Sequence, residues 1–217
     1  MFTRGQEALT DLNKKKVDLK TAFYRMKEND SHKVRVLGLQ DFVGYHAHSD
    51  YAKKIFTQTC SHSVGECALC KAQKSGVADF EGLYPRQRFL FVFGDLATGE
   101  LRCLDVSKNQ AKALISSLQE YSEDINELCF NLKKTGSGTN TAYSLSPVLK
   151  MKGDEPAQFD ALAELEVTDE YLSTVLAPRP FETQVKILSE AGFPVKEYFP
   201  QVNLEEESQE DDLLANI

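Results

Sequence analysis

Alternation of apolar and polar positions along the first two-thirds of the chain predicts a series of short β-strands. In chain order, the alternating or strongly apolar segments are 33–37, 42–45, 86–93, 100–106, 130–134 and 141–145. A short loop ending at Gly99 joins the third and fourth segments, and a connection containing Gly136 and Gly138 joins the last two. Each of these two pairs is therefore predicted to form a β-hairpin.

Apolar residues at helical spacing follow the first hairpin and return near the end of the chain. Ser107 is a predicted N-cap, and the apolar stripe behind it consists of Ala111, Leu114, Ile115, Leu118 and Tyr121. Beyond Pro147, helices are predicted over 169–176, capped by Thr168, and over 181–191. Five or six strands with one interposed helix favour a small closed or partly open β-barrel, the class to which oligonucleotide-binding (OB) folds belong.

Composition is that of a globular protein, but charge is divided unevenly along the sequence. The chain has 217 residues, of which 41% are hydrophobic, and it contains neither a long apolar run nor a signal-peptide pattern. Residues 1–150 contain 21 Lys and Arg against 17 Asp and Glu, whereas residues 151–217 contain 4 against 16. Six carboxylates and no cation fall within 204–214, which predicts a disordered acidic tail that contacts partner proteins. We expect a soluble, cytoplasmic protein.

Four cysteine and histidine residues lie within one 23-residue window and constrain the chemistry of the chain most strongly. They are His48, Cys60, Cys67 and Cys70. Three thiolates and one imidazole can converge on a tetrahedral zinc ion, and the two-residue gap between the last two cysteines is typical of a zinc knuckle. The spacing therefore predicts one structural zinc ion.

Alternative interpretations of this cluster concern the fourth ligand and the chemistry of the CxxC pair. His46 shares the strand face of His48 under period-two alternation, so the pattern alone does not choose between them. A redox role for Cys67 and Cys70 is disfavoured by the short polar stretch before them, and a zinc deaminase would need HxE and PCxxC motifs that are absent. Cys103 and Cys129 lie in strand-like sequence and are expected to be buried free thiols.

These patterns together predict a mainly β protein with accessory helices (α+β). The predicted architecture is an OB-fold-like β-barrel with an inserted zinc subdomain and a disordered acidic C-terminal tail. The predicted segments are an N-terminal arm (1–22), an OB-fold core (23–150) with a zinc subdomain at about 46–75, a helical accessory segment packed on the barrel (151–200), and the acidic tail (201–217).

Aromatic and cationic side chains are interleaved in the same strands, as expected of a protein that binds single-stranded nucleic acid. Tyr84, Arg86 and Arg88 precede three phenylalanines at positions 89, 91 and 93, and the second hairpin contains Lys133, Lys134 and Tyr143. The phenylalanines are expected to pack into the barrel on one strand face. The tyrosines are better candidates for base stacking, because their hydroxyl groups tolerate water at the edge of a groove.

The segment from His48 to Cys70, the strand 33–37 and the turn 134–143 resemble the zinc-containing single-stranded DNA-binding proteins of tailed bacteriophages. These are the helix-destabilising proteins of the T-even type. The resemblance covers roughly residues 20–150 in pattern and extends to the tail in composition. It implies an OB-fold with a zinc subdomain, a basic N-terminal arm for self-association on the strand, and an acidic tail that recruits a polymerase, helicase or primase.

The expected function is non-specific coating and protection of single-stranded DNA during phage DNA replication, recombination or repair, in the host cell cytoplasm. The expected DNA contacts are phosphate neutralisation and base stacking by Lys33, Arg35, Tyr84, Arg86, Arg88, Lys133, Lys134 and Tyr143. No membrane partner and no catalysis are expected, since carboxylates at metal-site spacing and a phosphate-binding glycine loop are missing. The alternative is a zinc-ribbon transcription or recombination factor that binds duplex DNA or a polymerase.

Overall fold

The computed structural model describes residues 4–5 and 17–203. Its strands are β1 (Ser31–Arg35), β2 (Phe42–Asp50), β3 (Ile55–Thr59), β4 (Arg86–Asp95), β5 (Glu100–Ser107), β6 (Cys129–Thr135) and β7 (Ala142–Pro147). Its helices are α1 (Leu19–Ala22), α2 (Ala68–Gln73), α3 (Lys108–Glu120), α4 (Glu155–Ala161), α5 (Asp169–Val175), α6 (Phe181–Glu190) and α7 (Val195–Tyr198). Residues 204–217 of the predicted acidic tail (201–217) and most of the predicted N-terminal arm lie outside the described residues.

The strands form one curled antiparallel sheet that resembles half of a barrel, with the helices around it. β4 is central: β5 pairs with one of its edges, and β2 and β1 share the other, with β1 reaching only Gly94 and Asp95. The sheet continues from β1 to β6 and β7. Both predicted hairpins are confirmed, but the expectation of five or six strands was wrong. β3 is the strand that was missed, because it lies within the cysteine-rich window.

Phenylalanines at alternate positions of β4 face the concave side of the sheet and form its main core. Phe91 and Phe93 are buried there with Phe130, and Phe89 packs against the same cluster, as predicted for this strand face. Helix α3 closes this side with its predicted apolar stripe. Ser107 and Gln110 form a capping box at its start, which confirms the predicted cap.

The loop of the first hairpin is fixed by the carboxylate of Asp95, which is 1% exposed. One oxygen accepts hydrogen bonds from the backbone N–H groups of Ala97 and Thr98, and the other accepts one from the Tyr24 hydroxyl at 2.9 Å. Since both oxygens accept hydrogen bonds, burial of this carboxylate is compensated.

The convex face of the sheet is covered by the chain segments that flank the barrel in sequence. Leu90, Val92 and Cys103 pack with Val175 of α5, and Thr168 caps α5 by accepting a hydrogen bond from the Tyr171 N–H. Cys129 packs with Phe159 of α4. Cys103 and Cys129 are buried and free, as predicted.

Residues 51–85, here called the insert, connect β2 to β4 and contain β3 and α2. Their apolar core includes Ile55 and Leu69, and it is completed by Val185, Leu188 and Phe199 from the end of the described chain. The expectation that residues 151–200 pack on the barrel therefore holds for α4 and α5 and was wrong for α6 and α7, which pack on the insert. Within the described part of the chain, no helix is sufficiently long and apolar to cross a bilayer.

Candidate metal centre

Three elements bring the four predicted side chains to one point at the base of the insert. His48 lies near the end of β2, and Cys60 follows the last residue of β3. The Cys60 N–H donates to the His46 carbonyl at 2.8 Å, which fixes the end of this hairpin. Cys67 is the N-cap residue of α2 and Cys70 lies in that helix, so the two-residue gap turns both thiols to the same side.

The four side chains are close enough to hold one metal ion. Their candidate ligand atoms all lie within 4.8 Å of one another. The Cys60 Sγ is 3.6 Å from the Cys70 Sγ and 4.0 Å from the Cys67 Sγ. The Nε2 of His48 is 3.5 Å from the Cys67 Sγ and 3.4 Å from the Cys70 Sγ.

The orientation of His48 is set by a backbone carbonyl. The Nδ1–H of His48 donates to the carbonyl oxygen of Leu83 at 2.6 Å, which leaves the lone pair of Nε2 directed at the thiols. His48 is completely buried, whereas His46 is exposed and lies outside the cluster. Of the two histidines, the structure therefore places His48, the preferred candidate, beside the three cysteines. Period-two alternation had left this choice open.

Electrostatics of the thiols favour a cation among them. Burial raises the pKa of Cys60 and Cys70, and at Cys70 the hydrogen bond with Cys60 and repulsion by Cys67 raise it further. Burial acts in the same direction at Cys67, but hydrogen bonds with His48 and with the backbone N–H of Cys70 outweigh it and lower the pKa to about 5. All three thiols can be ionised together only when a cation compensates their charge.

An open pocket of about 520 Å³ adjoins the metal centre. It lies between β2 and the two chain segments that contain Cys60 and Cys70, and its polar lining includes Tyr45, His46, His62 and Lys74. One side of the cluster therefore faces a solvent-accessible recess, although His48 and Cys67 are buried.

Several cations predicted to contact DNA are engaged within the protein. The Arg88 guanidinium makes a bidentate ion pair with Asp105, whose carboxylate also accepts from the Tyr45 hydroxyl at 2.7 Å. Lys33 pairs with Glu155, and Arg35 donates to the carbonyls of Asn126 and Phe159.

The second hairpin places its predicted residues at different depths. Lys134 donates to the carbonyl of Met26, and Lys133 is exposed. Tyr143 is half-buried against the core, and burial followed by the charge of Asp105 raises its pKa.

Exposed aromatic rings are concentrated on the insert. Tyr84 is 50% exposed, and the Arg86 guanidinium lies 4.8 Å from the centroid of its ring. Tyr51 and Phe56, 60% and 49% exposed, flank the β2–β3 turn with ring centroids 6.2 Å apart. Tyr84 and Arg86 were predicted from the sequence, whereas Tyr51 and Phe56 were missed, although the YAKKIF stretch, with two lysines between aromatic residues, was a usable signal.

Two residues that support the metal cluster carried no sequence signal. The Leu83 carbonyl is a backbone atom, and Gln184 hydrogen-bonds the Ala68 N–H from 116 positions away in the chain. Comparison of the chain with protein-family models, curated proteins and solved structures finds no match.

Proposed function

We propose that this protein binds single-stranded DNA without sequence specificity and that one structural zinc ion holds its insert in place. It coats and protects exposed strands during replication, recombination or repair, as a stoichiometric binder rather than a catalyst. The arrangement of exposed aromatic rings on the insert is the observation on which the proposal mainly depends.

Zinc is the metal that suits this donor set best. Bonds of about 2.3 Å to sulfur and about 2.0–2.1 Å to nitrogen would separate tetrahedral ligand atoms by about 3.5–3.8 Å. Four of the six separations between these sulfur and nitrogen atoms are 3.4–4.0 Å, close to those of such a tetrahedron, and all six are within 4.8 Å. Because four protein ligands complete the coordination, no position remains for a substrate, which favours a structural role.

The strand order supports an OB-type barrel. β1 and β2 together line one edge of β4 and take the place of a single bent first strand, with β4 and β5 as the second and third strands. Helix α3 follows, and β6 and β7 return as the last hairpin, with β6 paired to β1. In this arrangement the insert occupies the loop between the first two strands, and residues 136–141 form the loop between the last two.

These two loops flank the surface with which OB-folds bind oligonucleotides. Of the described residues, four large aromatic side chains are 38–60% exposed, and three of them, Tyr51, Phe56 and Tyr84, belong to the insert. Exposed rings of this size are unfavourable in water, and unstacked bases provide flat surfaces that cover them without regard to sequence.

Exposed cations near these rings are the better candidates for phosphate contacts. Arg86, Lys54 and Lys74 on or beside the insert, and Lys133 on the second hairpin, are exposed. Arg88 is held by Asp105, so we assign it to shaping this surface together with Tyr45. Lys33 pairs with Glu155 of α4, and Arg35 donates to the Phe159 carbonyl of the same helix. We therefore assign both side chains to stabilising the fold and not to contacts with DNA.

A direct competition separates single-strand binding from the duplex-binding alternative. Fluorescence anisotropy of a labelled dT oligomer, titrated with the protein at several salt concentrations, is expected to show binding that weakens steeply as salt rises. An unlabelled duplex of equal length is expected to compete poorly. Preference for the duplex would support a zinc-ribbon transcription or recombination factor instead, and absence of binding to either would refute the proposal.

A further inference from the structure

Helices α6 and α7 share their apolar core with the metal-binding knuckle. Val185, Leu188 and Phe199 are buried in the same cluster as Cys67 and Leu69. Phe193 contacts Phe80 of the insert edge to face, with ring centroids 5.0 Å apart. None of the apolar residues of α6 or α7 belongs to the described barrel cores, so these helices and the insert form one packing unit.

Gln184 of α6 connects this unit to the cluster by hydrogen bonds. Its side chain is 1% exposed, and its Oε1 accepts from the Ala68 N–H at 2.9 Å. Its Nε2 donates to the Ser61 Oγ at 3.1 Å and to the Arg179 carbonyl at 2.8 Å. Ser61 in turn donates to the Glu66 carbonyl at 2.7 Å, so the chain on both sides of the cluster is tied to α6.

The need for Gln184 follows from the position of Cys67. An N-cap side chain accepts from the second or third N–H of its helix, so the side chain of Cys67, which lies in the metal cluster, does not satisfy the first N–H, that of Ala68. The first N–H of α2 would be left unsatisfied in a buried place, which is costly. Gln184 supplies the missing acceptor.

The orientation of His48 depends on the same unit. The Leu83 carbonyl that accepts from the His48 Nδ1–H belongs to a residue whose side chain is 1% exposed and packs in the core shared with α6. Displacement of α6 would therefore loosen both the helix that presents Cys70 and the carbonyl that directs His48.

We propose that metal binding and docking of residues 179–203 are one cooperative event, with Gln184 as the positioning residue that couples them. Release of the metal undocks α6 and α7 while the barrel stays folded, and loss of the Gln184 hydrogen bonds weakens metal binding in return. The inference rests on the zinc site of the proposed function and is independent of DNA binding.

Hydrogen exchange measured by mass spectrometry on the full chain tests the first half of this coupling. After zinc content has been measured, exchange is compared between zinc-loaded protein and protein treated with excess chelator. Peptides covering 60–73 and 181–199 are expected to exchange roughly tenfold or more faster without metal, whereas peptides covering 86–107 keep their protection. Retained protection of 181–199, or equal loss over the whole chain, would overturn the proposal.

Metal competition tests the second half. Gln184→Met keeps the side-chain volume and removes the hydrogen bonds, and it is expected to weaken zinc binding by about 10- to 100-fold against a chromophoric chelator. Gln119→Met, on the exposed side of α3, is the matched control and should bind zinc like the unaltered protein. Unchanged zinc affinity of Gln184→Met would refute its coupling role. If this variant fails to fold, as judged by circular dichroism, the exchange experiment on the unaltered chain decides the question.

A protein that contains no zinc and takes up none would refute the zinc site itself. A protein that shows the expected metal-dependent exchange but no affinity for dT oligomers would refute only DNA binding. The two failures can therefore be told apart.

Discussion

At the scale of single residues, Cys67 has two structural roles. It is the N-cap residue of α2 and a member of the candidate metal cluster, where its Sγ lies 3.5 Å from the His48 Nε2. A serine at this position would be a better N-cap but a poor ligand for a soft thiolate site. The effect of such a substitution therefore separates metal binding from helix capping.

We expect Cys67→Ser to lose the metal and to melt at a lower temperature. A bound metal that contributes about 3 to 4 kcal/mol corresponds to a drop of about 10 °C for a chain of this length. Zinc content by elemental analysis and melting by circular dichroism measure the two effects. Cys103→Ala removes a buried thiol outside the cluster and should keep one zinc ion per chain. Equal zinc content and melting in Cys67→Ser would exclude a structural metal.

Tyr84 permits a separate test of base stacking, since its ring is half exposed and lies under the Arg86 guanidinium. Tyr84→Ala is expected to weaken dT binding by about 1–3 kcal/mol, roughly 5- to 150-fold, because a stacked base would lose its platform. Tyr84→Phe keeps the ring and should bind nearly as the unaltered protein does. Anisotropy titrations at fixed salt give the comparison, and equal affinities for both variants would place the DNA elsewhere.

At the scale of elements, the β6–β7 connection is a tight turn in which two glycines have left-handed backbone conformations. Gly136 has a φ of +68°, and a Cβ there would lie 2.3 Å from the Asn140 carbonyl oxygen. Gly138 also has a positive φ, +54°, but a Cβ there would meet no atom within 4 Å. Substitutions at these two glycines therefore separate the cost of a left-handed backbone conformation from the cost of a clash with a nearby carbonyl oxygen.

Gly136→Ala should lower the free energy of unfolding by about 2–3 kcal/mol, because strain and a backbone clash add. Gly138→Ala, with strain alone, should cost about 1 kcal/mol. Urea unfolding followed by circular dichroism measures both. An equal decrease in the free energy of unfolding for the two variants would contradict this turn geometry.

At the scale of the whole molecule, charge is separated between the barrel half and the C-terminal part of the chain. Exposed cations lie on the insert and the second hairpin, whereas residues 151–217 have 16 carboxylates. Six of these carboxylates lie beyond Asn203, outside the described residues, in the segment predicted to be an acidic tail. Such a segment would compete with DNA phosphates for the cationic surface.

Truncation after Asn203 is therefore expected to tighten binding to dT oligomers, with the larger effect at low salt, where screening is weak. Salt titrations of anisotropy on the full and truncated chains test this. A chain in which residues 205–207 and 210–212 are replaced by glutamine or asparagine is the matched control, because it keeps the length and removes the charge. Identical affinities of all three chains would leave the tail a role in solubility alone.

The sequence by itself determined the features that depend on neighbouring residues. Alternation of apolar and polar residues predicted both hairpins, and Ser107 and Thr168 predicted where two helices start. Cysteine spacing predicted which thiols form the cluster. Helix ends were one residue too long in α5 and α6, since fraying ends carry weak signals.

Only the tertiary structure decided what depends on residues distant in the chain. It places His48 and not His46 beside the cysteines, where the Leu83 carbonyl orients the ring. It also pairs Arg88 with Asp105. It also docked α6 on the knuckle through Gln184. Local sequence patterns do not predict such contacts, because packing and hydrogen-bond partners are set by the fold and not by spacing along the sequence.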